Sequence, residues 1–159
     1  MMKLHAQWIV GFVDGEGCFL VGVVKNSSKK ALYPLQPAFV VAQHVHDIQV
    51  LYALKDYFGC GHVRLPKEGQ TVARWSVHKL DHLLKRVIPF FEKHKLKTKR
   101  SIEFQRFRRL CLKLKEKDHV CSKEGFEECL QLARNLRVQL STSVEIDKGR
   151  VQLLSESTE

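Results

Sequence analysis

Ile9-Val10-Gly11-Phe12-Val13-Asp14-Gly15-Glu16-Gly17 is the stretch that decides the fold of this 159-residue chain. Leu4, Trp8, Ile9, Phe12 and Val13 recur at spacings of three and four, which predicts a helix over 4–13. Gly15 and Gly17 bracket Glu16 and stop it. Gly11 and Gly15 stand four apart on one helix face, and without side chains there a second helix backbone can approach closely. Glu16 projects from the C-terminal end, where the helix dipole disfavours an anion, so its carboxylate gains by sharing a divalent cation.

Working outward, Cys18 to Lys25 is rich in β-branched and aromatic residues and reads as a strand. Asn26 to Lys30 is turn-like, and Gln36 to Gln43 reads as a second strand. Asp47 can cap a helix carrying Val50, Leu51, Leu54 and Phe58 on one face, with Gly59 as its stop. His62 to Leu65 and Ala73 to Val77 form a second predicted hairpin around Glu68-Gly69-Gln70. One face of that hairpin is apolar, and the other carries His62, Arg64, Arg74, Ser76 and His78.

A helix from Lys79, limited by Pro89, comes next, followed by one capped by Thr98 and a last long one spanning Phe126 to Leu140. The expected class is α+β, an αββαββα core with a four-stranded antiparallel sheet and additional C-terminal helices. Residues 1–140 read as one domain and 141–159 as a polar tail that can dock in part.

Composition sets bounds on function. Twenty-seven Lys and Arg against 17 Asp and Glu give a formal charge of +10, which favours an acidic partner, and 44% hydrophobic residues suffice for a core. No apolar run approaches the roughly 20 residues of a membrane span, so a soluble protein is expected. Five scattered cysteines argue against a disulfide framework and for a reducing compartment. Eleven Lys and Arg but only Glu103 and Glu116 fall between Lys93 and Lys117, a block expected to grip phosphates.

The nine residues quoted first resemble the signature of the LAGLIDADG homing endonucleases. Gly11 and Gly17 stand as its glycines, Asp14 and Glu16 as its acids, with an aromatic (Trp8) before them and a strand directly after. The resemblance implies two such helices packed about a twofold axis, each delivering one acid to a scissile phosphate. The single copy of the motif implies a homodimer like the intron-encoded chloroplast enzymes, with Trp8, Gly11, Phe12, Asp14 and Gly15 at the interface.

It further implies Glu16 and the Gly15 carbonyl as ligands of Mg²⁺, for which Mn²⁺ or another divalent cation can substitute. Gln43 would order water and Lys97 would stabilise phosphate charge, so Glu16, Gln43 and Lys97 form the expected catalytic set. The basic residue that some relatives place after the glutamine is replaced here by Asp47. An organelle origin follows from the resemblance, chloroplast ahead of mitochondrion, and agrees with an N-terminus lacking a transit-type segment.

If Glu16 faces double-stranded DNA, strand alternation puts Leu20, Gly22, Val24, Gln36, Ala38, His62, Arg64, Arg74 and Ser76 on the same side. Gln36, Arg64 and Arg74 suit bidentate reading of adenine and guanine, and Ala38 lies among them. Lys25, Asn26, Lys29, Lys30 and Tyr33 in the first hairpin would reach outer bases or phosphates. The expected activity is a metal-dependent double-strand cut in a long, nearly palindromic DNA site during intron homing. A non-cleaving protein of the same fold, an intron RNA maturase or a repressor, is the alternative, and a ribosome-associated basic protein a third. His44 with His46, and His78 with Asp81 and His82, also raise a zinc site, but the glutamate of a metalloprotease helix is absent.

Overall fold

A computed structural model describes residues 2–23, 35–116 and 123–140. α1 (Ala6–Glu16) leads into β1 (Gly17–Val23) without a connecting residue, and β2 (Leu35–His44) pairs antiparallel with it. A 3₁₀ turn (Val45–Asp47) precedes α2 (Ile48–Phe58), β3 (His62–Arg64) and β4 (Val72–Val77). Next come α3 (Leu80–His82), a π turn (Leu83–Val87), α4 (Ile88–Lys93) and α5 (Arg100–Lys115), and the described chain closes with α6 (Lys123–Arg134) and β5 (Arg137–Leu140). The four expected antiparallel strands form. A fifth, β5, joins them parallel to β1, giving the order β3-β4-β2-β1-β5.

Four local expectations are corrected. α1 runs on through Gly15 to Glu16, because Gly17 turns to extended backbone and donates its N–H to the Val13 carbonyl. A side chain on Gly17 would sit 2.8 Å from that same carbonyl oxygen, so the abrupt helix-to-strand change needs glycine there. Pro89 does not end its helix, since the π turn just before it opens the ladder where the ring has no N–H to donate. The last predicted helix stops at Arg134, and the β-branched and polar run after it becomes β5, so Leu140 is a strand residue. Asp47 occupies a cap position without a side-chain cap bond; His44 instead accepts the His46 N–H at 3.2 Å.

Alternation decides which face of the sheet is covered. Phe19, Val21, Phe39, Val41, Ala73, Trp75 and Val77 point to the helices and are buried. Phe19 stacks on Phe39 with centroids 5.0 Å apart and meets Phe104 at 5.5 Å and Phe107 at 5.1 Å, so α5 lies on this face. Trp75 meets Phe39 edge-on at 5.6 Å and packs against Phe58 of α2 at 5.3 Å. Gly59 closes α2 in the left-handed conformation (φ 63°), as its position predicted. Among the described residues no helix is long and apolar enough to cross a membrane.

Candidate functional site

Three segments meet at one end of the sheet. Glu16 ends α1 immediately before β1, and its side chain is exposed. Gly17 pairs with Val41, so Gln43, two residues further along β2, lies just beyond that pair at the same end. Lys97 is brought there by Asp14. Asp14 Oδ2 accepts the backbone N–H of Lys97 at 2.9 Å, while Oδ1 accepts the Thr98 N–H at 3.1 Å and the Thr98 hydroxyl at 2.8 Å.

Partial burial pushes the Asp14 carboxyl up, but the donors from Lys97 and Thr98, with the Arg100 charge, outweigh it and hold Asp14 below its ordinary value. Thr98 also accepts the Arg100 N–H at 3.2 Å, so it does serve the start of α5, although the helix begins two residues later. Asp14 was expected at a dimer interface. Within its own chain the carboxylate is engaged by the three donors ahead of α5 that converge on it. A polar residue at that helical position was legible in the sequence, but not a partner 83 residues away.

The rest of the expected interface is open. Trp8 is 44% exposed and stacks on Phe12 with centroids 4.8 Å apart. Gly11 and Gly15 are exposed, and a side chain added at either would meet nothing within 4 Å. One face of α1, at positions 8, 11 and 15, is thus exposed, with Phe12 half-buried at its edge against the core, while Ile9, Val10 and Val13 fill the interior. Small and aromatic residues on an open helix face are what a second helix packs against.

The donors at this end suit a hard cation but do not complete a site. Among the described residues no hydrogen bond or ion pair engages the Glu16 carboxylate, and the carbonyls of the last helical turn have outrun the helix's own N–H donors. Carboxylate and carbonyl oxygens are the ligand types that Mg²⁺ takes. No group of three or more His, Cys, Asp or Glu able to hold a metal occurs among the described residues, which leaves the histidine-based zinc alternative unsupported.

The other sheet face carries the polar row. Register places Gln36 opposite Gly22, Arg74 opposite Ala42 and Arg64, and Ser76 opposite Val40 and His62. Gln36, His62, Arg64 and Arg74 are exposed and Ser76 is half-buried. Ala38 departs from the expectation. It pairs with Leu20, both are buried, and at 1% exposure its short methyl is not presented to a base edge. Val24, Lys25, Asn26, Lys29, Lys30 and Tyr33 lie outside the described residues.

The basic block is divided by the fold. Its helical part sits on the covered face: Arg108 pairs with Glu92, Lys113 with Glu128, and Arg106 donates to the Asn135 carbonyl at 3.3 Å. These cations bind α5 to its neighbours, away from the Gln36–Arg74 row. Lys93, Lys95, Lys97 and Lys99 precede α5, and of these Lys97 is held at the Glu16 end by its bond to Asp14. Linear charge counting could not separate the two groups, since only packing tells which side of the sheet a helix covers.

Helix, sheet and acid-bearing helix end define a LAGLIDADG-type α+β fold, and the LAGLIDADG endonuclease family model matches residues 9–111. The chain belongs to that family. A homing endonuclease, I-TnaI, has a solved structure that superposes with a TM-score of 0.80 at 41% identity, covering 98% of this chain and 99% of that one. I-SmaMI bound to an uncleaved DNA target in the presence of calcium ions matches with a TM-score of 0.76 at 30% identity, over 82% of this chain and 44% of its own. A probable intron-encoded endonuclease 2 of Neurospora crassa is 27% identical over 82% of this chain and 27% of its own length. The chain thus spans about a quarter of the length of the first curated relatives.

Proposed function

We propose that the protein is a homodimeric, divalent-metal-dependent DNA endonuclease that makes a double-strand cut in a long, nearly palindromic site. The observation that carries this reading is the Asp14 tie, which sets Lys97 beside the helix end bearing Glu16 while the adjoining face of α1 is left uncovered. One carboxylate per chain does not make a metal cage, so pairing two copies through Trp8, Gly11, Phe12 and Gly15 supplies the second acid. Membership of the LAGLIDADG endonuclease family, and a structural neighbour that binds DNA with calcium ions, support DNA as substrate.

A bound Mg²⁺ would polarise the phosphate and acidify water. Glu16 and the Gly15 carbonyl would hold it, Gln43 would orient the attacking water, and Lys97 would offset charge that develops on the phosphate. Gln36, Arg64 and Arg74 would read base edges while His62 and Ser76 assist. The intron-encoded relative supports an organelle intron as origin and, being fungal, does not favour the chloroplast over the mitochondrion.

A plasmid carrying the intronless target, incubated with protein and Mg²⁺, tests the reading. Linear product is expected with wild type, none with EDTA, and none with Glu16→Gln, which should still bind. Tight binding by wild type without any cleavage would overturn the endonuclease reading in favour of a maturase or repressor.

A further inference from the structure

A second cationic feature lies at the opposite end of the sheet. There the last turn of α2, the start of β3, the end of β4 and α3 enclose an open cleft of about 800 Å³. Lys55, His62, His78, Lys79 and His82 line it, with Asp56 as the only acid among the lining residues. Neighbouring cations on this side have partners: Lys85 pairs with Asp81 at 2.9 Å and Arg86 caps the Phe58 carbonyl at 3.0 Å. Lys55 and Lys79 have no ion pair among the described residues. A cleft with two unpaired lysines against one acid carries a net positive field that concentrates anions.

The cleft wall is built rather than loose. Gly59 and Gly61 take positive φ (63° and 87°), which folds the 59–61 turn back onto the sheet, and the buried Trp75 Nε1 donates to the Cys60 carbonyl at 3.0 Å. His78 responds to its surroundings: partial burial, then the Arg64 and His62 charges, lower its pKa. A bound anion would relieve that repulsion. Gln36, at the start of β2, belongs both to this cleft and to the proposed base-reading row, so the row runs directly into it.

We propose that this cleft grips a backbone phosphate of the DNA target, through Lys55 and Lys79 with His78 and His82 beside them, at the outer end of the segment read by the sheet. The assignment rests on the DNA-binding reading above. From Gln43 at the catalytic end to Gln36 at the cleft is seven residues of β2, about 23 Å at roughly 3.3 Å per residue. At about 3.4 Å per nucleotide along one strand, this places the gripped phosphate roughly seven base pairs outward from the cut.

Phosphate-ethylation interference and salt titration with the full chain test it. Ethylation about seven base pairs from each cut should block binding of wild type but not of Lys55→Gln/Lys79→Gln. That variant should melt like wild type, bind the target about tenfold more weakly, and lower the slope of log K against log[salt] by about 1 per phosphate lost. Inorganic phosphate, followed by the NMR signals of the three histidines, distinguishes a small free anion from DNA. If phosphate shifts those signals while the variant keeps the wild-type slope and interference pattern, the cleft is a small-anion site and the proposal is overturned. If wild type binds no duplex at all, the DNA reading itself fails; normal binding by wild type with an unchanged variant overturns the cleft alone.

Discussion

The Asp14 carboxylate and Thr98 are joined twice, through the Thr98 N–H at 3.1 Å and its hydroxyl at 2.8 Å, across 84 residues of chain. The signature helix therefore holds the loop that enters α5, and Lys97 travels with that loop. Hydrogen bonds to a charged group contribute up to about 1.5–3 kcal/mol, and the three on Asp14, being exposed, together contribute well below their sum. Asp14→Ala is expected to lower stability by about 1–3 kcal/mol in urea unfolding and to reduce cleavage as well. Lys97→Ala should reduce cleavage while leaving unfolding unchanged. Equal unfolding curves for Asp14→Ala and wild type would contradict the anchoring role.

Acid stability follows from the same contact. The folded carboxyl of Asp14 lies below its ordinary value of 3.8, so its contribution is fully present above pH 3.8 and is lost as pH falls through the lower folded value. Stability measured from pH 5 downwards should therefore fall less steeply in Asp14→Asn than in wild type. A steeper fall in the variant would reverse the sign and refute the assignment.

Gly61 has a backbone conformation that other residues resist, and a side chain there would lie 2.8 Å from the Ser76 carbonyl oxygen and closer still to Trp75 Nε1. Gly61→Ala is expected to destabilise the protein by more than about 1 kcal/mol, read as a lower melting temperature. Gly69 also has positive φ, but a side chain would meet nothing within 4 Å, so Gly69→Ala should carry only the conformational cost and melt closer to wild type.

Arg64 and Arg74 face each other across β3 and β4 on the exposed side of the sheet. If each reads a base, replacing either by Ala costs about 1–3 kcal/mol of discrimination at its own position. Binding to a library of single-base variants should show a relaxed preference at one base pair per half-site for each substitution. A uniform loss across all variants would mark phosphate contacts instead.

The charges of α5 should behave differently from those ahead of it. Arg108→Gln breaks the pair with Glu92 on the covered side and is expected to change stability slightly, by about 0–1 kcal/mol, with no change in the salt slope of DNA binding. A lowered slope in Arg108→Gln would place α5 against DNA and contradict the layering of the fold.

Periodicity alone determined the α1 helix, both hairpins, the αββαββα order and the apolar face of β4, because these depend on which residues recur every two or every three to four positions. The nine-residue signature in the same way carried the family. Only the tertiary structure decided the use of Asp14, since a carboxylate's partners depend on what the chain brings back to it. The same holds for β5, whose short run reads equally as the end of a helix until β1 offers an edge. It holds as well for the basic block, split between the loop tied to Asp14 and the covered helix, and for the cleft at Lys55, His78 and Lys79. Those residues are scattered along the sequence, and they share one cleft only where α2, β3, β4 and α3 meet.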